Sequence, residues 1–176
     1  MRHTIRFTLA LLVALIPALQ VAAQPSPSEL SSDQLNQIKQ GCRQVQVSLR
    51  SLQKRDTVLR INRGRLYDMT LRQTGAFVSR LDANKVEDPT IKQLDSNIRA
   101  EYQHFIADYD HYGDSLNTTV TIDCEAKPQE FYAALVQAAD QRKTVGKDVS
   151  TIKQEIEQYI TELGKLRDQL FPGAAQ

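Results

Sequence analysis

The chain has 176 residues, a net charge of +1, 41% hydrophobic and 24% charged residues, and no Trp. That length allows one domain with a modest core. Seven glycines and six prolines are few for a turn-rich sandwich or barrel, so the composition points to helices. The balanced charge argues against a nucleic-acid partner or an acidic membrane surface.

The N-terminus reads as an export signal. Arg2, His3 and Arg6 precede an apolar run from Phe7 to Leu19, about 13 residues and short for a membrane span. Val21, Ala22 and Ala23 supply small residues for cleavage after Ala23; an uncleaved anchor is the alternative. No cysteine follows the run, which excludes a lipoprotein signal, and no later segment is apolar enough to span a bilayer. Loss of Arg2 and Arg6 leaves residues 24–176 with a charge of −1. The expected organisation is signal peptide 1–23, linker 24–32, a helical domain 33–170 and a tail 171–176.

The first helix is expected over about 33–84, capped by Ser32 or Asp33. Its stripe runs Leu35, Ile38, Cys42, Val45, Leu49, Leu52, Asp56, Leu59, Arg63, Tyr67 and Leu71. Steps of three and four alternate until Leu59, where successive fours form a stutter near Gly64, a position that permits close backbone approach. Asp88 and Pro89 suit the cap and first position of a second helix over 89–117. Its stripe is Ile91, Leu94, Ile98, Tyr102, Phe105, Tyr109, Tyr112 and Leu116. In "TTVTIDC", Val120, Ile122 and Cys124 alternate with polar residues, which reads as an extended segment. A third helix is expected over 128–170, with Phe131, Leu135, Ala138, Arg142, Val145, Val149, Ile152, Ile156, Tyr159, Leu163, Leu166 and Leu170 along one side. The fold expected is all-α: an elongated antiparallel three-helix, coiled-coil-like bundle with a short extended segment before the third helix.

Cys42 and Cys124 are the two cysteines, and an exported chain is expected to pair them. Folding the first two helices about residue 86 sets Thr118 level with Lys54. Six extended residues then reach as far as about 13 helical ones, which brings Cys124 to Cys42. Asp56 and Arg142 interrupt otherwise apolar stripes and fall in one layer, so they are expected to form a buried or half-buried ion pair that fixes register.

The stretch "YQHFIADYDHYGD" over 102–114 is dense in chemistry-bearing residues. Tyr102, Phe105, Tyr109 and Tyr112 share the core face, while His104, Asp108 and His111 share its flank. That flank offers three metal ligands but no fourth. The alternative is charge complementarity: residues 34–85 carry eleven Lys/Arg and three Asp, whereas 86–118 carry seven acids and two bases. Asp108, Asp110 and Asp114 would then face Lys54, Arg55, Arg60, Arg63 and Arg65. No phosphate loop or nucleophile setting occurs in the sequence, so no catalytic residue and no cofactor is expected.

The runs "LRINRGRLYD" and "IDC", the latter followed by Pro128 and by Phe131 and Tyr132, resemble small secreted helical proteins of Saccharibacteria, over roughly residues 35–160. The resemblance implies bacterial export and carries over no activity and no functional residue. The function expected is a non-catalytic exported scaffold or interaction protein, at the cell surface or outside the cell, with a protein or cell-envelope partner. Alternatives are a holdase-type chaperone gripping clients between helices and a metal-binding helical protein. A second copy, forming a homo-oligomer, can also supply a fourth helix. The unbroken stripe of the third helix is expected to be used up within the bundle.

Overall fold

The computed structural model describes residues 30–172. The expected signal peptide, its cleavage site, residues 24–29 of the linker and 173–176 of the tail lie outside the described residues. Three helices follow one another: α1 (Ser32–Ala83), α2 (Pro89–Thr121) and α3 (Pro128–Leu170), with no strand among the described residues. None of them is long and apolar enough to cross a membrane.

Local chemistry sets the boundaries. The cap of α1 is Ser31, one residue before the expected pair. Ser31 Oγ accepts from Gln34 N at 3.3 Å and Gln34 Oε1 accepts from Ser31 N at 2.8 Å. This reciprocal box needs Gln three positions after the cap, which neither Ser32 nor Asp33 has. At its other end α1 closes with two bonds, Lys85 N to Asp82 O at 3.1 Å and Val86 N to Leu81 O at 2.9 Å. Those are the bonds of a Schellman motif, with Lys85 in the left-handed position (φ 56°) where glycine is usual. Asp88 Oδ1 accepts from Ile91 N at 3.0 Å to start α2. Lys92 reaches back to Asp82 at 2.6 Å and Glu87 at 3.2 Å, tying the turn.

Residues 118–121, expected to be extended, are helical. The Thr118 and Thr119 hydroxyls donate to Asp114 O and Ser115 O one turn back, and Thr121 donates to Thr118 O. Thr119 and Val120 are both buried. Extended backbone survives at Ile122, where α2 stops. Asp123 Oδ1 then accepts from Glu125 N and Ala126 N, each at 3.0 Å, and turns the chain into α3.

Cys42 and Cys124 are joined, with Cα atoms 5.5 Å apart. The route differs from the expected one. Pairs between α1 and α2 step nearly residue for residue: Thr74–Asp95, Gly64–Tyr102, Asp56–Tyr112, Gln46–Ile122 and then the disulfide. The register is displaced by about one turn from a fold at residue 86, and that displacement replaces the extended advance. α3 runs antiparallel to α2 and packs along it extensively, whereas α1 leans on α2 and touches α3 sparingly.

Replacing both cysteines by serine is expected to cost about 4 to 5 kcal/mol through chain entropy. Urea unfolding of the oxidised protein and the double variant measures it. A loss below about 1 kcal/mol would mean that the unfolded chain is not constrained by this bridge.

Candidate functional site

The stretch 102–114 of α2 resolves into two faces. Tyr102, Phe105, Tyr109 and Tyr112 form a ladder of rings joined to Tyr67 of α1, with centroids 5.3 to 6.4 Å apart. Edge contacts of this kind add to burial. The hydroxyls point at α1: Tyr102 donates to Gly64 O at 3.4 Å, Tyr109 to Asp56 O, and Tyr112 to Asp56 Oδ2 at 2.8 Å. Gly64 is not forced by crowding, because a Cβ there would meet nothing nearer than the Tyr102 hydroxyl at 3.8 Å.

Asp56 and Arg142 meet. Arg142 Nε donates to Oδ2 at 2.8 Å and Nη2 to Oδ1 at 3.3 Å. The pair is asymmetric: the Asp56 side chain is 7% exposed and that of Arg142 is 51% exposed. Burial alone raises the Asp56 pKa. Bonds from Arg142 and Tyr112, with the charges of Arg142 and Arg55, outweigh burial and hold it below the usual carboxylate value.

The other face divides the predicted metal ladder. His104 and His111 are exposed and Asp108 is half-buried. Among the described residues no three His, Cys, Asp or Glu side chains gather as a metal would need. The expected charge match with α1 is also only local. Arg60 pairs with Asp110 and lies 5.8 Å over the Tyr109 ring, but Asp108 faces α3. There it meets Asp148, which is 8% exposed and whose Oδ2 is buried without a hydrogen-bond partner. Burial, then the charges of Asp108 and Glu101, push the Asp148 pKa up, with His104 opposing. Periodicity does not mark this contact, because Asp148 lies beside the α3 stripe, among ordinary polar positions.

α3 carries the longest open feature among the described residues. Along α3, Phe131, Ala138, Val145, Ile152, Tyr159 and Leu166 are buried at every seventh position. The alternate members of the stripe, Leu135, Arg142, Val149, Ile156 and Leu163, are only partly covered or exposed. Leu135, Arg142, Ile156 and Leu163 line one wall of a furrow between α1 and α3, floored by Tyr109, Tyr112 and Leu116 of α2. Its most voluminous cleft, about 690 Å³, lies between Leu66, Met69 and Phe77 of α1 and Ile156, Ile160 and Leu163 of α3. Leu66, Met69 and Ile160 are 52%, 51% and 61% exposed. A second cleft, about 400 Å³, lies beyond the Asp56–Arg142 tie, lined by Leu49, Leu52 and Leu135. From Leu135 to Leu163 the furrow is roughly 42 Å long at the helical rise. The expectation that the α3 stripe is used up within the bundle therefore holds only in part: Leu135, Val149, Ile156 and Leu163 pack against the core but keep one side open, because α1 leans toward α2.

Compared with known proteins, the chain matches no family model, no curated protein and no solved structure.

Two predictions concern the carboxylates. Arg142→Met is expected to cost about 2 kcal/mol, less than a fully buried pair because water reaches the guanidinium, and Tyr112→Phe about 1 kcal/mol. A double-mutant cycle showing coupling below about 0.3 kcal/mol would remove Asp56 as a shared acceptor. Asp56 has a lowered folded pKa, so its stabilisation is present above about pH 4 and lost as pH falls through that folded value. Asp148 has a raised folded pKa, so its charge destabilises the fold once pH rises through that value. Asp148→Asn is expected to raise Tm at pH 7, with the gain shrinking as pH falls through the raised folded value and gone below about pH 4. A lower Tm at pH 7 would contradict a desolvated charge at this position.

Proposed function

We propose that the protein is an exported, non-catalytic helical interaction protein that works by contact, at the cell surface or outside the cell, on a protein or cell-envelope partner. The observation that carries this reading is the furrow. Ile156 and Leu163 of α3 stay half-open beside the exposed Leu66, Met69 and Ile160, and exposed apolar surface of this kind marks interaction sites. The disulfide fits an oxidising compartment. Export agrees with the N-terminal signal and with the resemblance to secreted proteins of Saccharibacteria. Neither the Asp56 node nor the Asp108–Asp148 pair has the arrangement of a nucleophile, base and oxyanion donors.

The same open apolar lining supports a second reading, a holdase that grips unfolded clients. It differs in selectivity: a holdase suppresses aggregation of unrelated reduced proteins, and a contact protein does not. The metal-binding alternative rests on His104, Asp108 and His111, which do not converge.

A photo-crosslinking amino acid at Ile160, in the furrow, should capture a partner on intact producing cells and their neighbours. The same group at Gln103, on the outer face of α2, should not. Equal capture at both sites, or none at Ile160, would sink the furrow as the contact surface.

A further inference from the structure

Resting on the furrow as the contact surface, we infer that its occupant is an acidic amphipathic helix of a partner protein, lying lengthwise as a fourth helix of the bundle. The spacing points to a helix. The half-open positions of α3 recur every seven residues, from Leu135 through Val149 to Ile156 and Leu163. That is the recurrence that the a and d positions of a partner helix fill. An acyl chain has no such period to match. Gly146, on the furrow wall beside Val145, adds room. A Cβ there would meet no atom within 4 Å. Glycine weakens a helix interior, and no contact within the chain requires it here. Removing its side chain lets a docking backbone approach α3.

The rim selects the charge. Six charged side chains line the clefts of the furrow, and five are cations: Arg63, Arg72, Arg80, Arg142 and Lys143. The sixth, Asp56, is already held by Arg142 and Tyr112. Arg72 and Lys143 have exposed partners on their own helices, Asp68 and Asp140. Arg63 and Arg80 are in no ion pair among the described residues. Carboxylates flanking an apolar stripe on the partner would pair with these groups and fix its register. A second copy does not meet the requirement. Docked through its own furrow, it would set the same cations against themselves. Its α2 is acidic, but the apolar stripe of α2 is buried inside the bundle.

The test uses the full oxidised protein and two synthetic peptides of about 28 residues, the length of the furrow. Both carry Leu and Ile at a and d positions; one has Glu at the flanking e and g positions and the other Lys. Fluorescence anisotropy is expected to show the Glu peptide binding about tenfold tighter or more. Leu66→Gln with Met69→Gln and Ile160→Gln should weaken it about tenfold without lowering Tm, since these side chains are already exposed. Arg63→Glu with Arg80→Glu should move the preference to the Lys peptide. Equal affinity for the two peptides, or binding of neither, overturns the inference. So does a dimer by sedimentation that the triple glutamine variant dissolves, which would make a second copy the occupant. Binding to phosphatidylglycerol vesicles that the same variant abolishes, with both peptides inert, would assign the furrow to lipid. The two readings fail separately. A partner captured at Ile160 through a segment that is not an acidic helix ends this inference and leaves the contact function standing.

Discussion

Asp56 is a carboxylate taken out of water, and such a group must find partners or lose its charge. Its partners come from both neighbouring helices: the Tyr112 hydroxyl from α2 and the Arg142 guanidinium from α3. Tyr109 adds a bond to the carbonyl of the same residue. α1 touches α3 so sparingly elsewhere that this node is the main tie between them at mid-length. Sliding α1 by one residue would carry Asp56 away from all three donors at once. The near residue-for-residue register, and with it the meeting of Cys42 and Cys124, follows from holding that carboxylate in place.

Other polar ties recur along α1, beside its buried Leu49, Tyr67, Leu71 and Leu81. Tyr102 reaches Gly64 O, Tyr159 reaches Thr74 O, Thr74 reaches Asp95, and Gln46 reaches Ile122 O. Hydroxyls and amides hold α1 at intervals, while α2 and α3 share the continuous apolar seam. This division explains why Leu66 and Met69 can remain exposed on a helix that is still firmly placed. It also sets two carboxylates at odds. Asp56 works for the fold as an anion and Asp148 works against it as one, so mild acid relieves one group before it discharges the other.

Periodicity made much of this legible. The starts at Pro89 and Pro128 and the end near Leu170 follow from proline and from the stripes, and Asp56 and Arg142 stand out because they interrupt apolar runs. What periodicity does not carry is whether a neighbour covers a stripe. The α3 pattern is the same whether Ile156 and Leu163 are covered or open; only the lean of α1 toward α2 decides it. Val120, Ile122 and Cys124 alternate with polar residues, yet residues 118–121 stay helical, where the threonine hydroxyls find acceptors in carbonyls one turn back. Level alone would pair Asp108 with the basic helix. Its direction around α2 turns it to Asp148 instead, and that azimuth is lost when two helices are compared only by height.

The path of the chain has a mechanical consequence. α1 and α3 run parallel, so Ser32 and Leu170 lie toward opposite ends of the rod. Tension applied between them need not follow the backbone. It can pass from Cys42 directly to Cys124 and on into α3, bypassing a sequence separation of 82. The stretch of α1 that walls the furrow, from Leu49 to Arg80, lies inside that bypass. A protein pulled between two anchored surfaces would therefore keep this wall slack while α3 took the strain.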